Sequence, residues 1–209
     1  MSWPLGRPFG FPVQIHGSAL LLLLFLGLAA GGGSAGWMSG TISTLVVLGS
    51  VLVHELGHAF AARAYGLGPI SIVLHGFGGL TRFARRPSHG QGVVVGLAGP
   101  VSGMAVGILA LPLALWAGMA PGWVSGTLDI VVRINIFWSL FNLLPMYPLD
   151  GGQVMWHLLA GRIEPAAARV WVRRVSLCSA ALVGVIGLLF GAYFLALISF
   201  FVWRQNQRQ

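Results

Sequence analysis

Two histidines and a glutamate occur together in the stretch Val53-His54-Glu55-Leu56-Gly57-His58, inside an apolar segment that runs from about Thr41 to Ala64. On an α-helix, residues four apart lie on one face, so His54 and His58 can direct one imidazole nitrogen each to the same metal ion. Two neutral imidazoles at this spacing suit Zn²⁺, and Glu55 suits the general base that activates a water on the metal. A chance match is the alternative, but ionisable groups in a membrane are costly and are rarely present without a function.

A catalytic zinc of this type needs a third protein ligand. The acidic residues of the chain are Glu55, Asp129, Asp150 and Glu164. Asp150 stands out because it lies in the segment 142–152, where two prolines end a helix and a glycine pair allows a tight turn. A carboxylate at such a break can be directed back into a helix bundle. The alternative is an aspartate that only caps a helix, and the HELGH motif makes that the weaker interpretation.

The two motifs together, HELGH and a later N-x-x-P-x-x-P-L-D-G-G, resemble the site-2 protease family of intramembrane zinc metalloproteases. The resemblance covers most of the chain and is to a minimal form without a PDZ or CBS domain. It implies that His54, His58 and Asp150 are zinc ligands and that Glu55 is the catalytic glutamate. It also implies that Asn142 holds the substrate carbonyl or its oxyanion. No catalytic position departs from the family pattern, which favours an active enzyme.

The composition is that of a multi-pass membrane protein. Hydrophobic residues make up 56% of the 209 residues and charged residues 8%, whereas soluble domains carry about a quarter charged residues. All 12 basic residues are arginines that flank apolar segments, so the net charge of +8 indicates positive-inside topology rather than nucleic-acid binding. The single Cys178 lies in an apolar run and is predicted to be a small core residue.

Apolar segments predict an all-α fold of about six transmembrane helices that forms one metalloprotease domain over residues 1–209. The expected spans lie at about 17–30, 41–65, 92–117, 126–144, from 167 onward, and in a short final helix that ends near 203. The run 175–203 could be one tilted span, but the positive-inside rule favours two helices that turn near Gly191. We expect both termini on the cytoplasmic side of an inner or plasma membrane, and the loops near 34–40 and 118–125 outside.

Residues 66–91 are glycine-rich and predict a β-hairpin rather than a helix. Its strands are expected at about Ile70–Leu74 and Leu80–Phe83, with a turn between them. Next to a wet active site such a hairpin can be re-entrant, since non-helical backbone is tolerated where it lines a cavity. An ordinary cytoplasmic loop is the alternative.

The hairpin also suggests how a substrate could be held. An extended peptide can add as a strand to a sheet edge, and we expect the N–H groups near Ile72 and Val73 to supply that edge. Gly78 and Gly79 are therefore predicted to bind substrate. Asn135 is added to this set because it shares a helix face with Asn142, seven residues later.

The predicted function is an intramembrane zinc endopeptidase that takes part in regulated intramembrane proteolysis. The expected partners are a single-span membrane protein as substrate and the lipid bilayer. A catalytically silent zinc-binding scaffold and a metal transporter are the alternatives. The intact Glu55 argues against the scaffold, and the lack of an internal repeat argues against the transporter.

Overall fold

The computed structural model describes residues 2–29, 33–76, 78–119 and 121–207. This part of the chain is mainly helical, with one small β-sheet. The strands are β1 (Ser2–Gly6), β2 (Val13–His16), β3 (Ile70–His75) and β4 (Gly78–Phe83). The helices are α1 (Ala19–Ala29), α2 (Gly33–Ala64), α3 (His89–Trp116), α4 (Gly122–Asn142), α5 (Asp150–Ala160), α6 (Pro165–Leu189) and α7 (Tyr193–Gln207).

Among the described residues, the helices α2, α3, α4 and α6 are long and apolar enough to cross a membrane. Together with the small sheet they confirm the expected helical membrane fold. The other two predicted spans correspond to α1 and α7, which have 11 and 15 residues and are shorter than the ~20 residues of a typical span. The expected turn between α6 and α7 is present, and Gly191 adopts the left-handed conformation there, with φ +70°.

Helix α2 begins eight residues earlier than the apolar pattern predicts, at Gly33 instead of Thr41. A loop was expected near residues 34–40, and that prediction is wrong because these residues belong to α2. The side of the membrane on which they lie stays a prediction. Glycine and serine lower helix propensity in water, but without water the backbone groups must bond within the segment. The hydroxyls of Thr41 and Thr44 donate to carbonyls one turn earlier, as they do in a continuous helix. The expected end of the first span, near residue 30, lies outside the described residues.

The four strands form one sheet in the order β1-β2-β3-β4. The predicted hairpin is present, with β3 and β4 antiparallel and His75 opposite Gly78. Strand β2 pairs with β3 in parallel, although more than fifty residues separate them in sequence. The apolar residues of β2 and β3 that face the core, such as Val13 and Ile72, are almost fully buried.

The sheet order corrects the expected position of the substrate edge. The N–H of Ile72 donates to the carbonyl of Pro12 at 2.9 Å, and Val73 lies between Gln14 on β2 and Leu80 on β4. Both sides of β3 are therefore occupied, and the prediction that Ile72 and Val73 supply a free edge is wrong. Among the described strands, β1 and β4 have a partner on one side only, and β4 is the one that belongs to the hairpin.

The chain divides into two compact units, and the expectation of a single domain over 1–209 stays a prediction. The first unit comprises residues 1–86 and 98–139. In it, α1 packs along α2, and the β3–β4 hairpin packs on α2. The small side chains Ala59 and Ala62 of α2 are completely buried in this unit.

The second unit comprises residues 87–97 and 140–209. Its core is built where α6 and α7 pack together around Met146, Ala180 and Val202. Cys178, on α6, is exposed, so its prediction as a core residue is wrong. An apolar run in a membrane helix does not by itself tell which face packs on protein, because the lipid-facing side is equally apolar.

Candidate functional site

The HELGH motif lies in the last third of α2, where His54 and His58 occupy successive turns. Both side chains are buried, with exposed fractions of 2% and 7%. Their Nε2 atoms are 3.2 Å apart, and the ring centroids are 4.9 Å apart. Two imidazole nitrogens that converge in this way suit a shared cation, because each neutral ring can present a lone pair.

Helix α3 passes close to these rings, and glycine makes the approach possible. A Cβ on Gly99 would overlap the ring of His58 and lie 2.8 Å from Nε2 of His54. One turn apart along α3, Gly103 and Gly107 would meet Ser139 and Ile136 of α4 at 2.6 and 2.7 Å if they carried a Cβ. The repeated glycines thus form a small-residue face for close helix packing.

Glu55 is held by the hairpin. Its side chain is 5% exposed, and the hydroxyl of Thr81 lies 2.7 Å from Oε2 and 3.1 Å from the Glu55 carbonyl oxygen. One hydroxyl proton can serve only one acceptor at a time, and the shorter distance favours the carboxylate. A Cβ on Gly79 would come within 2.6 Å of Oε1. Residues two apart on a strand face the same side, so Gly79 and Thr81 of β4 both contact the carboxylate from one face of the strand.

The motifs do not single out Thr81, although its alternation with Gly79 along β4 could have indicated it. His75, at the end of β3, is the histidine of the hairpin. Burial lowers the pKa of His75 below its usual value; the charge of Glu55 opposes this shift, and His16 adds to it. The imidazole of His75 is therefore neutral near pH 7.

Asp150 is the first residue of α5, and its side chain is 8% exposed. The loop before it is anchored at Tyr147, whose N–H donates to Ser176 Oγ at 2.9 Å and whose carbonyl accepts from Asn206. Gly151 and Gly152 lie against the backbone of this loop, and a Cβ on either would overlap it. The glycine pair therefore lets the first turn of α5 fold back onto the proline-containing segment.

His54, His58 and Asp150 form a group of buried residues that could hold one metal ion. Two imidazole nitrogens and one carboxylate oxygen are a ligand set that zinc accepts, with a fourth position left for water or substrate. The absence of a side chain at Gly99 leaves the two histidine rings unobstructed on the side of α3, because a Cβ there would overlap His58. The residues present therefore fit the predicted zinc.

The two asparagines differ in what surrounds them. Asn142 ends α4 and is 8% exposed, and its role at the oxyanion stays a prediction. Asn135 is 2% exposed, and its amide nitrogen donates to Ser50 Oγ and to the carbonyl of Val131. Both N–H groups of the Asn135 amide are therefore bonded within the first unit, and only Oδ1 could contact a substrate. The expected contact of Asn135 with substrate stays a prediction.

Comparisons with known proteins find similarity to zinc metalloproteases. The family described as Peptidase family M50 matches residues 112–183. A zinc metalloprotease of Methanocaldococcus jannaschii is 27% identical over 197 residues, which cover 93% of this chain and 56% of that protein. A protein of Synechocystis sp., provisionally named a zinc metalloprotease, is 34% identical over 162 residues, with 72% of this chain and 42% of its own length covered.

A sporulation protein and a solved structure extend the comparison. Stage IV sporulation protein FB of Bacillus subtilis is 30% identical over 175 residues, covering 82% of this chain and 57% of that protein. The solved site-2 protease of M. jannaschii superposes with a TM-score of 0.73 at 26% identity, and covers 100% of this chain and 94% of the solved one. The chain spans about half the length of the curated relatives it matches.

Proposed function

We propose that this chain, which belongs to peptidase family M50, the site-2 proteases, is an intramembrane zinc endopeptidase that cuts the transmembrane segment of a membrane-anchored protein. The observation that carries the proposal is the group of His54, His58 and Asp150, with Glu55 on the same helix as the two histidines. These residues belong to a chain with four helices long and apolar enough to cross a membrane. A site on such helices is well placed for a membrane segment and poorly placed for soluble chains.

His54, His58 and Asp150 would hold the zinc. A zinc ion in such a site polarises a carbonyl and lowers the pKa of a water molecule to near neutrality. Glu55 accepts a proton from the attacking water and delivers it to the nitrogen of the leaving amine as the C–N bond breaks. Asn142 donates a hydrogen bond to the oxygen that gains charge when the carbonyl is attacked.

The hairpin fixes the general base. With Oε2 accepting from Thr81 and Oε1 lying over Gly79, the carboxylate of Glu55 has little rotational freedom. A base that is already oriented does not lose side-chain entropy when the substrate arrives. Thr81 is therefore a positioning residue, which acts on the reaction through Glu55.

The substrate must be extended at the cut, because a carbonyl inside a helix is already hydrogen-bonded. Unpaired backbone groups in a membrane cost several kcal/mol each, and a sheet edge can pair them. The N–H of Ile72 points to β2, so the main-chain groups of Ser71 and Val73 point to β4, where Arg82 and Leu80 are their partners. The main-chain groups of Leu80 and Arg82 are therefore directed toward β3. The main-chain groups of Gly79, Thr81 and Phe83 then point outward from β4, and we assign substrate pairing to this edge.

Cleavage of a membrane-anchored reporter in proteoliposomes tests the activity. Glu55→Gln should abolish cleavage because an amide cannot accept the proton, while the bound zinc is retained. Glu164→Gln is the matched control, since Glu164 precedes α6, is exposed and should leave cleavage unchanged. Mass spectrometry of the products should place the cut within the apolar segment of the reporter.

The alternatives give different results in the same vesicles. A metal transporter would accumulate zinc inside the vesicles and keep doing so in Glu55→Gln, with no reporter cleavage in either protein. A silent scaffold would bind zinc but neither cleave nor transport. Cleavage by Glu55→Gln near the wild-type rate would show that the general-base role is wrong.

A further inference from the structure

A cavity of about 730 Å³ opens between α5 and α6 in the second unit. Its volume is in the range of small-molecule sites, roughly 300–1,000 Å³. Gln153, Trp156 and His157 of α5 line one side, and Arg169, Val170 and Arg173 of α6 line the other. None of the residues proposed to carry the reaction lines it.

The charged groups of the cavity are all of one sign. Arg169 and Arg173 are one turn apart on α6, and none of the described residues that line the cavity is acidic. Arg173 donates one hydrogen bond, from Nη2 to the carbonyl of Gln207 at 3.2 Å. This bond uses only one of the five N–H groups of its guanidinium. Two guanidinium groups at this spacing can bind a phosphate from two sides.

An uncharged histidine adds to the polar side of the cavity. Nδ1 of His157 is buried and has no hydrogen-bond partner among the described residues. Burial lowers the pKa of His157, and the nearby His89 acts in the same direction, so the ring is uncharged near pH 7. Buried polar atoms are normally paired, and one without a partner in a cavity wall indicates a missing ligand or water.

The place of the cavity along α6 indicates the source of the anion. All arginines of α6 lie in its first ten residues, and the rest of the helix, 175–189, has no charged residue. The cavity is therefore at the polar end of a candidate span, where lipid headgroups lie. Trp156 supplies the amphipathic ring that is common at this level of a membrane.

We propose that the cavity binds one anionic phospholipid, with its phosphate on Arg169 and Arg173 and its glycerol and upper acyl chain against Val170 and Trp156. The lipid would connect α5 to α6. Since α5 begins at Asp150, the proposed lipid fastens the helix that carries the third zinc ligand. The site needs no protease activity to bind lipid, so it can be tested separately from the proposed function.

The test uses the purified full chain exchanged into phosphatidylcholine nanodiscs that contain one-tenth phosphatidylglycerol. Native mass spectrometry after release should find about one phosphatidylglycerol retained per chain. Arg169→Gln/Arg173→Gln should lower that retention at least about fivefold. Arg85→Gln/Arg86→Gln, which removes an adjacent pair outside this cavity, should leave it unchanged.

A second variant tests the cavity without changing charge. Val170→Trp fills its apolar part and should lower retention while both arginines remain. Thermal unfolding should shift upward with phosphatidylglycerol in the wild type, but not with phosphatidylcholine or inorganic phosphate alone. Equal retention in the wild type and Arg169→Gln/Arg173→Gln would overturn the proposal, as would an equal loss in Arg85→Gln/Arg86→Gln. A shift produced by inorganic phosphate alone would show a free-anion site instead of a lipid site.

Discussion

At the scale of single residues, Glu55 has two different sets of neighbours, the histidines of its own helix and the residues of the hairpin. Its neighbours His54 and His58 face the candidate metal position, while its carboxylate rests on Gly79 and Thr81 of the hairpin. The motif alone predicts the first arrangement, because helical spacing is a local property. It does not predict the second, since the contact joins residues 26 positions apart and no periodicity connects them.

Thr81→Val should slow cleavage about 10- to 100-fold, because a hydrogen bond to a charged group contributes roughly 1.5–3 kcal/mol. The loss should appear in kcat with KM little changed, and zinc content should stay at the wild-type level. Thr81→Ser keeps the hydroxyl and is the matched control, with most of the rate restored. A Thr81→Val enzyme with full kcat would show that the hydroxyl does not orient the base.

Removal of any one zinc ligand should lower bound zinc. His54→Ala, His58→Ala and Asp150→Ala each delete one of three protein ligands, and elemental analysis of the purified proteins measures the result. Asp129→Ala is the control, since Asp129 pairs with Arg133 on an exposed face of α4 at 2.7 Å. Full zinc occupancy in Asp150→Ala would mean that another group is the third ligand.

At the scale of secondary-structure elements, one strand pairing of the sheet follows from a short-range sequence pattern and another does not. The hairpin of β3 and β4 follows from β-prone runs separated by a glycine turn, and its position was predicted closely. The parallel pairing of β2 with β3 was not, because such pairing leaves no short-range signal when α1 and α2 intervene. This omission placed the free edge on the wrong strand.

Photo-crosslinking groups on β4 should capture substrate. Placed at Leu80 or Arg82 in Glu55→Gln, they lie beside the outward main-chain groups of the strand, and both positions are exposed. The control is Leu5 on β1, at the opposite edge of the sheet, where Pro4 and a register irregularity disfavour pairing. Capture at Leu5 equal to that at Leu80, or capture only along residues 135–149, would remove the hairpin from the substrate path.

At the scale of the whole molecule, the composition predicted more of the architecture than any motif did. The low charge content and the arginine-flanked apolar runs predicted a multi-pass membrane protein, and four helices meet the length and hydropathy of a span. The ends of helices were predicted less well, as at Gly33, because propensities measured in water underestimate helix formation in an apolar medium. The side of the membrane on which each loop lies stays a prediction.

Cysteine labelling in a Cys178→Ser background should report that orientation. Cys178 is exposed and must be removed first. Single cysteines in place of Arg86 and Arg162 should react with a membrane-impermeant reagent only after the cells are permeabilised. A cysteine in place of Gly122 should react in intact cells. The C-terminal residues should behave like Arg86. Labelling of the C-terminus from outside would mean that α6 and α7 together cross the membrane once.

The unpaired side of β4 also specifies what a selective inhibitor should look like. A helical peptide that mimics a transmembrane substrate would have to be unwound before it could reach the candidate site. A short extended peptidomimetic with alternating backbone donors and acceptors, and a hydroxamate at one end, would enter already in the required shape. Rigid strand mimetics should therefore outcompete flexible ones of the same composition, because less conformational freedom is lost on binding.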